Sequence, residues 1–205
     1  MKGNLFIISS PSGGGKGTLI REILLRVPQV GYSISFTTRQ PRDGEIQARH
    51  YYFVGVEEFE NLIAAGEFLE YANVHGNFYG TSRREVEKEL LAGRDVILEI
   101  DVQGAEIIKR SMPDSVSVFI LPPDFETLRD RLIRRGTDSP EVLAVRLKNA
   151  PGEINRFTEF DYVIVNDEKE RATEQLAAIF YAERARTNRM RLAAMQVLET
   201  FPKND

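Results

Sequence analysis

The chain has 205 residues with 27 Lys plus Arg against 31 Asp plus Glu, and 42% hydrophobic side chains, enough for one good core or a core with small insertions. No apolar run approaches a membrane span, no signal-peptide pattern opens the sequence, and a net charge of −4 argues against a general nucleic-acid binder, so a cytoplasmic location without nucleic-acid or membrane partners is expected. The absence of cysteine excludes disulfides, thiolate catalysis and cysteine-bound zinc, and two histidines, His50 and His75, are too few for a histidine-built metal site.

The apolar run Leu5-Phe6-Ile7-Ile8 predicts a buried strand within 4–9, and Leu19, Ile20, Ile23 and Leu24 recur at helical spacing within 17–27, before Pro28. Between them lies Ser9-Ser10-Pro11-Ser12-Gly13-Gly14-Gly15-Lys16-Gly17-Thr18. Strand, glycine loop and helix together are the context of a phosphate-binding loop: glycines aim backbone N–H groups inward, the helix adds its positive end, and Lys16 adds a mobile charge. Ser10 stands where the first glycine of the common pattern would be, and Gly17 where the metal-binding hydroxyl would be; Thr18 offers a hydroxyl one place later.

Ser33-Ile34-Ser35-Phe36 predicts a second strand, and the charged, turn-forming stretch from Thr37 to Glu45 breaks the pattern. Tyr51 to Val54 predicts a short strand, and Val56, Phe59, Leu62 and Ile63 a helix ended by Gly66. Gly76-Asn77-Phe78-Tyr79-Gly80-Thr81 reads as a turn-rich lead into a helix capped by Ser82 with Glu85 and ended by Gly93. Val96 to Asp101 reads as a buried strand, residues 103–112 as a helix, and Val116 to Leu121 and Tyr162 to Val165 as strands. Glu168 to about Arg189 reads as one long helix, with a frayed polar tail after it. Between Pro122 and Phe160 an arginine-rich helix pair is expected, with Gly136 ending the first helix and Ser139-Pro140 opening the second.

Apolar strands alternating with helices imply an α/β protein with a helix-flanked parallel sheet and ligands at the strands' carboxyl ends. Residues 35–84 and 126–157 interrupt that alternation and read as insertions closing over this edge; the core comprises 1–34, 85–125 and 158–205. Arg39 and Arg42, with Tyr51 and Tyr79, suit a terminal phosphate monoester, although surface loops also carry arginines for solvation. Arg131, Arg135 and Arg146 fit either a phosphoryl-stabilising cluster or a solvated face, and spacing leaves both open. Glu70 and Asp101 follow apolar residues. They suit the adjacent N1–H and N2–H₂ donors of guanine, or a structural ion pair, and Asp101 could also hold Mg²⁺.

On the loop from Ser12 to Lys16, the stretches Thr37 to Glu45 and Gly76 to Thr81, Ile100-Asp101-Val102-Gln103-Gly104-Ala105, and Val163-Ile164-Val165-Asn166-Asp167, the chain resembles the guanylate kinase family over about residues 4–184. The resemblance implies a P-loop NTPase-type parallel sheet with a GMP-binding insertion (35–84) and a helical lid (126–157). It also implies phosphorylation of GMP, and of dGMP by the same base-reading logic, from ATP with Mg²⁺, serving purine metabolism and GMP recycling. By it, Ser12, Gly13, Gly14, Gly15, Lys16, Gly17, Thr18 and Asn166 would bind ATP. Ser35, Arg39, Arg42, Tyr51, Glu70, Tyr79, Thr81 and Asp101 would bind GMP, and Lys16, Arg39, Arg131, Arg135 and Arg146 would be catalytic. Thr18 and Asp101 are the metal candidates; Glu99 stands where some members carry aspartate, and Pro151-Gly152 falls where a continuous helix is expected. A guanylate-kinase-like scaffolding module is opposed by the retained Lys16 and its glycines, and a kinase for another nucleotide by the acceptor-site stretches. A small-metabolite kinase is a remoter alternative, and the oligomeric state is left open.

Overall fold

The computed structural model describes residues 2–74, 76–136 and 139–202, the Arg135 side chain excepted. β1 (Leu5–Ser9) and α1 (Lys16–Arg26) flank the glycine-rich loop, and β2 (Val30–Tyr32) follows. β3 (Phe36–Thr37), β4 (Tyr52–Phe53), α2 (Val56–Ala64), β5 (Phe68–Val74) and β6 (Asn77–Ser82) come next, their strands forming a four-stranded sheet in the order β4-β3-β6-β5. α3 (Arg83–Leu91), β7 (Asp95–Glu99), α4 (Val102–Ser111) and β8 (Val116–Leu121) return to the first sheet. α5 (Phe125–Arg135) and α6 (Pro140–Ile154) form a helical pair. A 3-10 turn, Asn155–Glu159, then leads to β9 (Tyr162–Val165), α7 (Lys169–Arg184) and α8 (Thr187–Glu199).

The first sheet has five parallel strands in the order β2-β7-β1-β8-β9. Helices cover both faces, which is why its central strands are continuous apolar runs. Phe6 and Ile8 face α1 and α7 with Ile97, Val118, Leu176 and Phe180, while Leu5 and Ile7 face α3 and α4 with Val86, Leu98 and Ile108. In register, Ile8 lies beside Glu99, Ser9 beside Phe119 and Tyr32 beside Ile97, so Tyr32, Glu99, the glycine-rich loop and Asn166 gather at one edge. Leu128, Leu132 and Ala150 give the helical pair its own small core.

The expected strand over 33–36 is divided between two sheets. Ser33 still donates its N–H to Ile97 O (3.0 Å), but Phe36 and Thr37 pair with β4 and β6. The Ser-Ile-Ser-Phe alternation signals extended chain, not which sheet accepts it. The segment read as turn-rich, 76–81, is largely β6, paired antiparallel with the unanticipated β5. A Cβ at Gly80 would stand 3.0 Å from both the Phe59 and Phe68 rings, so this strand glycine serves close packing. The long C-terminal helix breaks at Arg186 and resumes as α8, where Arg189 donates to Lys2 O (2.6 Å); the expected frayed tail is mostly helical. Ser82 caps α3 through Glu85 N–H as expected, and α6 runs through Pro151 to Ile154.

Phe6 and Phe180 stack at 3.7 Å between ring centroids, both fully buried, and tie β1 to α7. Phe180→Ala should therefore cost about 3–5 kcal/mol, read as a lowered urea midpoint at unchanged m-value.

Candidate functional site

The glycine-rich loop is shaped from inside and gripped from outside. Gly13 (φ 86°) and Gly15 (φ 92°) take left-handed backbone, and Gly14 N–H closes on Pro11 O at 2.9 Å. A Cβ on Gly15 would lie 2.3 Å from Asn166 Nδ2, so conformation and space both demand glycine there. Asn166 Nδ2 and Arg131 Nη1 both donate to Gly14 O, at 3.0 and 3.4 Å, and Arg131 Nη2 donates to Asn166 O at 2.8 Å. Arg146 Nη1 donates to Ser12 Oγ (2.6 Å), while the Ser12 N–H donates to Glu153 Oε2 (3.3 Å). Arg131 and Arg146 thus turn inward onto the loop, which spacing had left open. The Arg135 side chain lies outside the described residues.

Lys16 opens α1 with Nζ 3.8 Å from Glu99 Oε1. The Tyr32 hydroxyl donates to Glu99 Oε2 at 3.1 Å. Both Glu99 oxygens face the space beside Gly17, 3.6 and 3.9 Å from where a Cβ would stand. Of the two anticipated metal candidates, Asp101 caps α4 by accepting the Gly104 N–H (2.8 Å), and Thr18 Oγ1 accepts from Arg21 (3.4 Å). Among the described residues no three His, Cys, Asp or Glu side chains cluster as a metal cage. The acid beside Lys16 and Gly17 is Glu99, to which the sequence pattern gives no role.

Around the second sheet the anticipated acceptor residues gather about Glu45, which lay within the quoted motif but had no role. Arg39 Nη2 donates to both Glu45 oxygens at 2.9 Å, and the Arg42 N–H donates to Oε2 at 2.8 Å. The Arg39 guanidinium lies 5.4 Å from the Tyr51 ring centroid, and Tyr51 meets Tyr79 edge-on at 6.0 Å. Burial lowers the affinity of Arg39 for its proton, but Glu45 and Tyr79 outweigh it and raise the pKa. Burial, then the charges of Glu99 and Tyr79, push the Tyr51 phenol up to about 12, so it remains a donor. Ser35 lies on the link between β2 and β3, its carbonyl accepting from Tyr52 N–H at 2.9 Å.

Glu70 on β5 is buried. It accepts the Thr81 hydroxyl on Oε1 (2.6 Å) and turns Oε2 toward Gly104, 3.1 Å from where a Cβ would be. Asp101 Oδ1 lies 3.4 Å from the same point, so two carboxylates converge on the first turn of α4, with Gly104 leaving them room. Burial pushes Glu70 up to about 7; the Thr81 hydroxyl opposes this and Asp101 adds to it. Lys16, Thr18, Glu99 and Arg131 line one cleft of about 1030 Å³ together with Glu45 and Tyr51. The glycine-rich loop therefore shares one space with Glu45 and Tyr51, the two residues that flank the Arg39 guanidinium.

A glycine-rich loop opening a helix at the carboxyl edge of a parallel sheet is the architecture of α/β nucleotide-binding proteins. The family model for guanylate kinase matches residues 2–183. A guanylate kinase of Xanthomonas oryzae pv. oryzae is 50% identical over 186 residues, 91% of this chain and 92% of its own. One of Xylella fastidiosa is 46% identical over 201 residues, 98% of both chains. The crystal structure of guanylate kinase from Anaplasma phagocytophilum matches with a TM-score of 0.74 at 37% identity, covering 92% of this chain and 89% of that one. The chain belongs to the guanylate kinase family.

The raised Glu70 pKa has a sign that can be checked. Between an ordinary glutamate value of 4.5 and about 7 the native state holds a proton that the unfolded chain has released, so stability falls as pH rises through that window. Urea unfolding at pH 4.5 and pH 8 should differ by on the order of 3 kcal/mol more in the wild type than in Glu70→Gln.

Proposed function

We propose that this chain transfers the γ-phosphoryl group of ATP directly to GMP, giving ADP and GDP. The reading is carried by the shared cleft, which Lys16 and Arg131 line together with Glu45 and Tyr51, the two residues that Arg39 packs against. Residues 12–18 would cradle the ATP phosphates with backbone N–H groups, and Asn166 would act chiefly by bracing the loop through Gly14 O. Arg39, Arg42, Tyr51 and Tyr79 would hold the GMP phosphate, Glu45 aiming the Arg39 fork. Glu70 and Asp101 would read the N1–H and N2–H₂ edge of guanine, with Ser35 and Thr81 completing the base site. That edge lacks the sugar 2′-hydroxyl, so dGMP is expected to serve as well.

The chemistry needs no general base. A phosphate monoester loses its second proton near pH 6 and is already nucleophilic at neutral pH. The barrier is anion–anion repulsion and alignment, which cations and positioning overcome. Arg131 and Arg146 already touch the loop, within reach of the transferring group, and Arg135 on α5 is assigned the same role. Residues 35–84 and 126–157 would be the parts that close and exclude water. Mg²⁺ bound with ATP would neutralise charge on the phosphates. Glu99, whose oxygens face the space beside Gly17, and Thr18 would be the protein groups available to hold it, with phosphate oxygens supplying most of the ligands.

ADP formation from MgATP should be strong with GMP and at background with AMP, CMP or UMP. Equal turnover with another nucleotide would remove Glu70 and Asp101 from base recognition. Lys16→Ala should lower kcat about a hundredfold or more, with a smaller loss of ATP affinity by calorimetry; equal losses would assign Lys16 to ground-state binding.

A further inference from the structure

We infer that Tyr32 is a positioning residue of the donor site, whose phenol holds Glu99 so that Lys16 stays available for phosphate. The inference rests on the reading above that donor phosphates occupy the glycine-rich loop, and it concerns a residue that the sequence did not single out.

The geometry follows from strand register. Tyr32 ends the edge strand β2 opposite Ile97 of β7, and Glu99 lies two residues further along the same face. Diagonal neighbours on one face of a sheet are within reach of a long side chain, and the phenol donates to Glu99 Oε2 at 3.1 Å. α1 covers this face, so Lys16 and Gly17 at its first turn stand beside the other oxygen, Oε1. The two Glu99 oxygens are therefore divided between two tasks.

The lysine contact is a long one. At 3.8 Å, Lys16 Nζ and Glu99 Oε1 are attracted but not in direct hydrogen bond, whereas an unrestrained ammonium–carboxylate pair closes to about 2.7–2.9 Å. A closed pair would cancel the charge that the phosphates need and would have to be broken at each binding event. The Tyr32 bond anchors the carboxylate on the side away from Lys16. Burial first, and then the neighbouring carboxylate, raise the pKa of the phenol, so it remains a donor across the working pH range. Gly17 completes the arrangement, because any side chain there would enter the space in front of Glu99.

The test is ATP binding by calorimetry in EDTA for wild type, Tyr32→Phe, Glu99→Gln and the double variant. Tyr32→Phe keeps the ring and should weaken ATP about tenfold, the loss expected for one charge-assisted hydrogen bond, while GMP binding stays within twofold. Glu99→Gln removes the charge that competes for Lys16 and should bind ATP at least as tightly as wild type. Adding Tyr32→Phe to it should then change nothing. Unchanged binding in Tyr32→Phe would overturn the inference, as would the same loss in both backgrounds. If Tyr32→Phe fails to fold, Glu99→Gln decides, and weaker binding than wild type would sink the idea. Failure of the wild type to bind ATP would instead remove the donor-site reading on which the inference stands.

Discussion

The grip on one carbonyl oxygen holds the site together. Gly14 O receives donors from Asn166, at the end of β9, and from Arg131 on α5, so the loop after β1 is tied to two later parts of the chain. The fit is tight enough that Gly15 has no room for a side chain under Asn166. A loop held in this way keeps its backbone conformation fixed before any anion arrives. Preorganised donors of this kind are worth more in a sheltered cleft than in water, because no reorganisation is needed when charge develops.

A second constraint is the company the cations keep. Arg39 meets Glu45, Lys16 faces Glu99, and Ser12, which receives Arg146, also donates its N–H to Glu153. Phosphate groups entering the cleft would compete with these carboxylates. Partly buried pairs of this kind add little net stability, since desolvation offsets much of the attraction. Their effect is to set direction: a guanidinium held by two oxygens of one carboxylate has its fork already aligned.

The corner around Glu70 and Asp101 works on the opposite principle. Glu70 is buried, with one hydroxyl donor on Oε1 and a second acid nearby, so ionisation is costly until donors arrive. A ligand edge with two adjacent N–H groups would supply them. Recognition there would therefore be coupled to proton release near neutral pH.

Much of the fold could be read directly from residue order. Long apolar runs such as Val116 to Leu121, the capping Ser82, and the Ser139-Pro140 start are local physics, set by burial, backbone donors and proline's fixed φ. The glycine-rich loop belongs to the same class, because its strand, glycines and helix are contiguous. Periodicity could not settle the rest. The 33–36 segment has strand alternation whichever sheet takes it, and β6 is built from residues that also suit turns. The inward turn of Arg131 and Arg146, the gathering of Arg39 and Arg42 about Glu45, and the bond from Tyr32 to Glu99 join residues distant in sequence or depend on side-chain direction. The sequence by itself determined which chemical groups the protein owns and where its regular elements run, since those depend on neighbours along the chain. Which carboxylate stands beside which cation was decided only by strand register and helix packing, because charge pairs act through space.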